Sequence, residues 1–99
     1  MSAANTYEPK PTPGYGDVWL DAIEIIKTDC PQDLLQLCAE RRRFGIEKYG
    51  TPLQYFNGRD PTNDAVQELL DLLAYLTQAD RAELLPQVID IYKQLTEAS

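Results

Sequence analysis

From Asp17 onward, apolar residues recur at steps of three and four. That period builds amphipathic helices and excludes half-buried strands, which need a step of two. Trp19, Ala22, Ile23 and Ile26 form the first stripe, and Leu34, Leu37 and Cys38 the second. Val66, Leu69, Leu70, Leu73 and Leu76 form the third, and Val88, Ile89, Tyr92 and Leu95 the fourth. Local punctuation sets the limits. Asp17 can cap a helix over 17–28. Pro31 suits a first helical position, with Asp33 favouring the dipole in the first turn, so a second helix is predicted over 31–48 and stopped by Gly50. Asp60-Pro61 is an N-cap followed by proline and opens a third over 61–78. Asp80 and Glu83 have capping-box spacing. Pro86 interrupts any helix begun at Arg81, which leaves a short turn over 81–85 and a fourth helix over 86–97. No segment shows strand period and none repeats. The expected fold is all-α, four helices around one core.

Ninety-nine residues suffice for one such domain and not for two. Residues 17–99 are expected to form it, behind a tail over 1–16. Pro9, Pro11 and Pro13 alternate there, followed by Gly14 and Gly16, so the tail should be extended. Tyr7 and Tyr15 can anchor it to a surface, such as that of a neighbouring subunit. No apolar run reaches the roughly 18–20 residues of a membrane span. Met1–Lys10 lacks the apolar stretch of a signal peptide. The expectation is a cytoplasmic protein with no membrane partner. Histidine is absent, so proton transfer falls to carboxylates, Lys, Tyr or Cys. A net charge of −7 repels polymeric nucleic acid, while a small patch can still bind phosphate. Cys30 and Cys38 match neither a zinc knuckle nor a redox dithiol and read as two buried free thiols.

The connection from Thr51 to Asp60 is longer than most helix–helix loops. It carries Tyr55, Phe56, Asn57 and Arg59, which makes it a candidate binding loop; packing against the helices is the plainer role of its two rings. On the third helix Asp64, Glu68 and Asp71 lie at i, i+4 and i+7, within about 60° of arc. Such a row repels itself in water, and a hard cation such as Mg²⁺ would turn that repulsion into ligation. An amphipathic helix also places charge there by default. The row itself contains no Lys or Arg, although solvated faces usually mix signs. Glu40 and Glu47 share a face of the second helix. Arg41, Arg42, Arg43 and Lys48 lie late in that helix, and Arg59 in the loop. They serve either as dipole compensation and surface ion pairs or as a phosphate clamp beside an acidic metal site.

Glu40-Arg41, then Lys48-Tyr49-Gly50-Thr51-Pro52-Leu53, Phe56-Asn57-Gly58-Arg59-Asp60, and Asp64-x-x-Gln67-Glu68-x-x-Asp71 with Tyr75-Leu76 together resemble the phage dATP/dGTP diphosphohydrolases. These are the MazZ-type branch of the MazG-like all-α nucleoside triphosphate pyrophosphohydrolases. The likeness covers about residues 32–79. It implies a four-helix fold that assembles into a dimer or tetramer. It also implies two or more Mg²⁺ per site, with Mn²⁺ as a substitute, held by carboxylates from two helices. The implied reaction is hydrolysis of a purine dNTP, dGTP or dATP, to dNMP and pyrophosphate, in the nucleotide pool of a phage-infected host cytoplasm. Glu68 and Asp71 match the family's ExxD pair, Asp64 sits one turn earlier, and Glu40 is the helix-two carboxylate. The superfamily's ExxE pair is replaced by Glu40-x-x-Arg43, so either Glu47 completes the site or the site has fewer ligands. Glu40 or Glu47 would accept the proton of the attacking water. Lys48 and Arg59 would hold outer phosphates. Tyr55 or Phe56 would stack on the base, with Asn57 reading its edge. Two other classes remain open: a non-catalytic acidic helical module that docks another protein through the loop, and an inactive relative with a regulatory role.

Overall fold

A computed structural model of the chain describes residues 12–97. Tyr7, Pro9 and Pro11 lie outside the described residues. The chain forms α1 (Val18–Ile26), α2 (Gln32–Tyr49), α3 (Pro61–Gln78) and α4 (Leu85–Glu97), with a 3-10 turn over Ala82–Leu84 before α4. The fold is all-α. Extended pairing among the described residues is confined to one bridge, Tyr15 with Tyr55.

The helix ends follow from their caps. Asp17 has extended backbone, and its Oδ1 accepts the Leu20 N–H at 3.1 Å. Asp60 Oδ1 accepts from the Thr62 and Asn63 N–H groups at 3.0 and 3.2 Å, with Pro61 in the first turn. Gly50 ends α2 in the left-handed region (φ 83°) and returns its N–H to the Ile46 carbonyl at 2.7 Å. Only glycine takes that conformation without cost. Pro31 stands just outside α2, at ψ 142°, because its carbonyl closes the first turn by accepting from Leu34 and Leu35. Asp60→Ala should therefore cost about 1 kcal/mol of stability, the usual worth of an N-cap. A urea melt showing no loss would remove the cap from the account of α3.

The predicted capping box at Asp80 and Glu83 does not form. Asp80 is left-handed (φ 60°), whereas a cap residue needs extended backbone. It serves instead to reverse the chain after α3, where the Arg81 N–H reaches back to the Leu76 carbonyl at 2.8 Å. Glu83 pairs with Arg81 at 2.6 Å. The two thiols are free but only half-buried, not buried as expected. Partial burial, with Cys38 and Asp33 nearby, pushes the Cys30 thiol above its ordinary 9.0, so it stays protonated at neutral pH.

Two compact units divide the described residues, 12–58 and 59–97. In the first, α1 packs on α2. In the second, α3 packs on α4 and the 3-10 turn. Val88 is the one buried apolar residue among those described, and it lines an apolar cavity of about 140 Å³ with Leu69, Leu70, Leu73, Ile89 and Tyr92. No described helix is long and apolar enough to cross a membrane.

Candidate functional site

The loop after α2 is held by the segment that precedes α1. Tyr15 and Tyr55 exchange both backbone hydrogen bonds, at 3.1 and 2.8 Å. The Thr12 N–H donates to the Asn57 carbonyl at 2.6 Å, and the Val18 N–H to the Leu53 carbonyl at 2.9 Å. The Gly14 N–H donates to Gln54 Oε1 at 3.3 Å. The end of the expected tail thus pairs with the loop up to a bend at Gly16 (φ 75°), and Tyr15 is anchored on its own chain's loop. A Cβ on Gly14 would run into the Tyr55 carbonyl oxygen, so a glycine there lets the two backbones meet.

This pairing sets out three rings. Phe56 stacks on Tyr15, with centroids 5.5 Å apart and planes at 20°. Tyr15 and Tyr55 are 5.9 Å apart and tilted by 33°. Phe56 is left-handed (φ 52°) and 81% exposed. A bulky residue there costs about 1–3 kcal/mol of strain and persists because its surroundings over-determine it. Loop packing therefore does not describe Phe56. Asn57 beside it is the one buried polar residue among those described.

Tyr55 is fixed at its far end: its hydroxyl donates to Asp21 Oδ2 at 2.6 Å. That bond to the carboxylate, then desolvation and the acidic charge around it, raises the phenol above its ordinary 10.0. The folded protein thus binds the phenolic proton more tightly than the unfolded chain. This contribution is complete below the ordinary value and lost as pH rises through the folded one. A titration at 295 nm, taken as wild type minus Tyr55→Phe, should show this phenolate forming above pH 10. A difference curve centred at or below 10 would contradict the Asp21 bond.

The proposed ionic residues are placed as follows. Glu40 and Glu47 are exposed on α2, and Glu40 shares a shallow depression with Gln36, Ala39 and Arg43. On α3, Asp64 and Asp71 are half-buried and Glu68 is exposed. Arg59 grips Asp64 with two bonds, Nη2–Oδ1 at 2.6 Å and Nε–Oδ2 at 3.0 Å. Two residues expected in different roles, phosphate clamp and metal ligand, are therefore paired with each other. A loop arginine that precedes α3 neutralises the first carboxylate of the row. Arg42 is likewise engaged, with Nε 2.8 Å from Asp17 Oδ2. The Lys48 ammonium lies 5.3 Å from the Tyr49 ring centroid.

The donors on offer are hard carboxylate oxygens, which suit Mg²⁺ in type. Among the described residues, no three His, Cys, Asp or Glu side chains gather to hold a metal ion. The donor set thus fits by chemistry alone, and Asp64 would have to exchange Arg59 for the ion. Comparison with protein-family models, with curated proteins and with solved structures found no match.

Proposed function

We propose that the chain is a Mg²⁺-dependent diphosphohydrolase that converts a purine dNTP, dGTP or dATP, to dNMP and pyrophosphate. The observation that carries this reading is the run KYGTPL–FNGRD–QELLD with Asp64 one turn ahead. An all-α chain with an exposed aromatic residue, Phe56, in the loop after α2 supports it. In this reading water attacks the α-phosphorus, the bond from that phosphorus to the bridging oxygen breaks, and pyrophosphate leaves. Glu40 or Glu47 takes the water's proton. Lys48 and Arg59 hold the outer phosphates, Arg59 giving up Asp64 to do so. Phe56 or Tyr55 stacks on the base and Asn57 reads its edge. The residues that would hold the two or more Mg²⁺ ions are Asp64, Glu68 and Asp71 with Glu40, and when bound they supply neutralising charge to the tetra-anionic chain. The setting is nucleotide-pool metabolism in a phage-infected cytoplasm.

The experiment is a dNTP panel with and without Mg²⁺, with dNMP and pyrophosphate measured separately. Pyrophosphate from dGTP or dATP only with Mg²⁺ is the expected result. No pyrophosphate from any dNTP at micromolar protein sinks the reading. It would leave the docking module, for which the 81% exposure of Phe56 is the favouring observation.

We further expect a homo-oligomer. Of Ile25, Leu35, Leu72 and Ile91, which cannot all face one thin core, Leu35 is half-buried and the other three are exposed, at 78%, 39% and 47%, and subunit contact can cover such residues. Light scattering at tens of micromolar should give a dimeric or tetrameric mass; a monomeric mass contradicts this.

A further inference from the structure

We propose that residues 12–16 belong to the substrate site: this strap holds Phe56 and Tyr15 as a two-ring stack whose outer face receives the purine base. The inference rests on the diphosphohydrolase reading and adds to it a residue, Tyr15, and a segment lying outside the motifs that carry that reading.

Four observations converge on it. The strap is registered by backbone, with Thr12 on Asn57 and Tyr15 on Tyr55 in both directions. The fit is close enough that any side chain at Gly14 would strike the Tyr55 carbonyl. Phe56 is held in a left-handed conformation that a bulky residue avoids. That conformation does not bury the ring, which remains 81% exposed although Tyr15 stacks on one side at 5.5 Å. A strained backbone that presents an aromatic face to water is more informative than one that hides it.

The occupant is a planar base because the outer face offered is a single flat ring. Every base has a π-face that such a ring can stack on. Tyr15 acts as a positioning residue: it touches Phe56, sets its plane, and needs its ring but not its hydroxyl. Tyr55, tied to Asp21 at 2.6 Å, fixes the loop that the strap pairs with.

The test measures KM and kcat for dGTP, and the affinity for dGMP by calorimetry, in wild type, Phe56→Leu, Tyr15→Ala, Tyr15→Phe and Gly14→Val. Inhibition by inorganic tripolyphosphate, which has no base, controls for a damaged phosphate site. Loss of one stacking contact should raise KM for dGTP and weaken dGMP about tenfold in Phe56→Leu and Tyr15→Ala. Gly14→Val, which keeps every ring but drives the strap off the loop, should match them. Tyr15→Phe should restore wild-type KM, and tripolyphosphate should inhibit all variants alike. Hydrolysis of dGTP by wild type with unchanged KM in Phe56→Leu and Tyr15→Ala overturns the strap's role and leaves the diphosphohydrolase reading standing. A KM rise matched by an equal loss of tripolyphosphate inhibition overturns it too, since the variants would then have damaged more than base stacking. No hydrolysis of any dNTP by wild type overturns both.

Discussion

Glu68→Gln should lower pyrophosphate release roughly 100-fold or more, the scale on which deleting one preorganised electrostatic contact acts. The apo protein should change in stability by less than about 0.5 kcal/mol. The first half follows from the proposed diphosphohydrolase reading, the second from where the side chain stands. Glu68 is exposed on α3, between Asp64 one turn before and Asp71 one turn after. The amide keeps shape, removes charge and relieves repulsion along the row. Arg59 already neutralises Asp64 at 2.6 Å, so the relief is small. If the row ligates Mg²⁺, the same change also shrinks the gain in melting temperature that millimolar Mg²⁺ gives by binding the native state. Glu83→Gln is the control: Glu83, in the 3-10 turn, pairs with exposed Arg81 just before it, and such pairs contribute about 0–1 kcal/mol. Equal behaviour of the two variants in activity and in Mg²⁺ response would make the α3 row an ordinary solvated face.

Asp17→Ala should destabilise the protein by about 2–3 kcal/mol, the sum of a lost cap and a broken half-buried ion pair. Each oxygen of this carboxylate has its own task. Oδ1 accepts the Leu20 N–H and caps α1. Oδ2 receives Arg42 Nε at 2.8 Å, tying α1 to the middle of α2, with side-chain exposures of 18% for Asp17 and 33% for Arg42. Alanine removes both and leaves a partly buried guanidinium without this partner. Asparagine keeps the cap, so Asp17→Asn should cost only about 1–1.5 kcal/mol, roughly the part owed to charge. In a double-mutant cycle with Arg42→Ala, a coupling below about 0.3 kcal/mol would show that the pair contributes nothing and that the loss belongs to the cap.

The helices were legible because their signals are local. Asp17, Asp60-Pro61 and Gly50 lie within a few residues of the ends they set, and the apolar stripes state the period directly. The predicted limits fall within about two residues of those observed, the usual disagreement at frayed ends. Asp80 misled because a residue that caps a helix start can equally reverse the chain after a helix end, and only its backbone conformation decides which. The strap escaped for a different reason. Tyr15 and Tyr55 are forty residues apart, and a single bridge between irregular segments carries no periodicity. Gly14 was the available signal: a glycine beside an aromatic, in a segment whose neighbouring prolines already favour extension. Arg59 and Asp64 were each singled out by charge type, but charge type does not say that two opposite charges five residues apart, across a helix start, will satisfy each other first.

The proposed activity is cleavage of a purine dNTP at the α-phosphorus. Hydrolysis of dGTP in ¹⁸O-water with Mg²⁺, read by mass spectrometry of both products, tests it most directly. Attack at the α-phosphorus gives dGMP and pyrophosphate in equal amounts, with the label in dGMP. Label in pyrophosphate, release of dGDP and phosphate, or no product at all would contradict it.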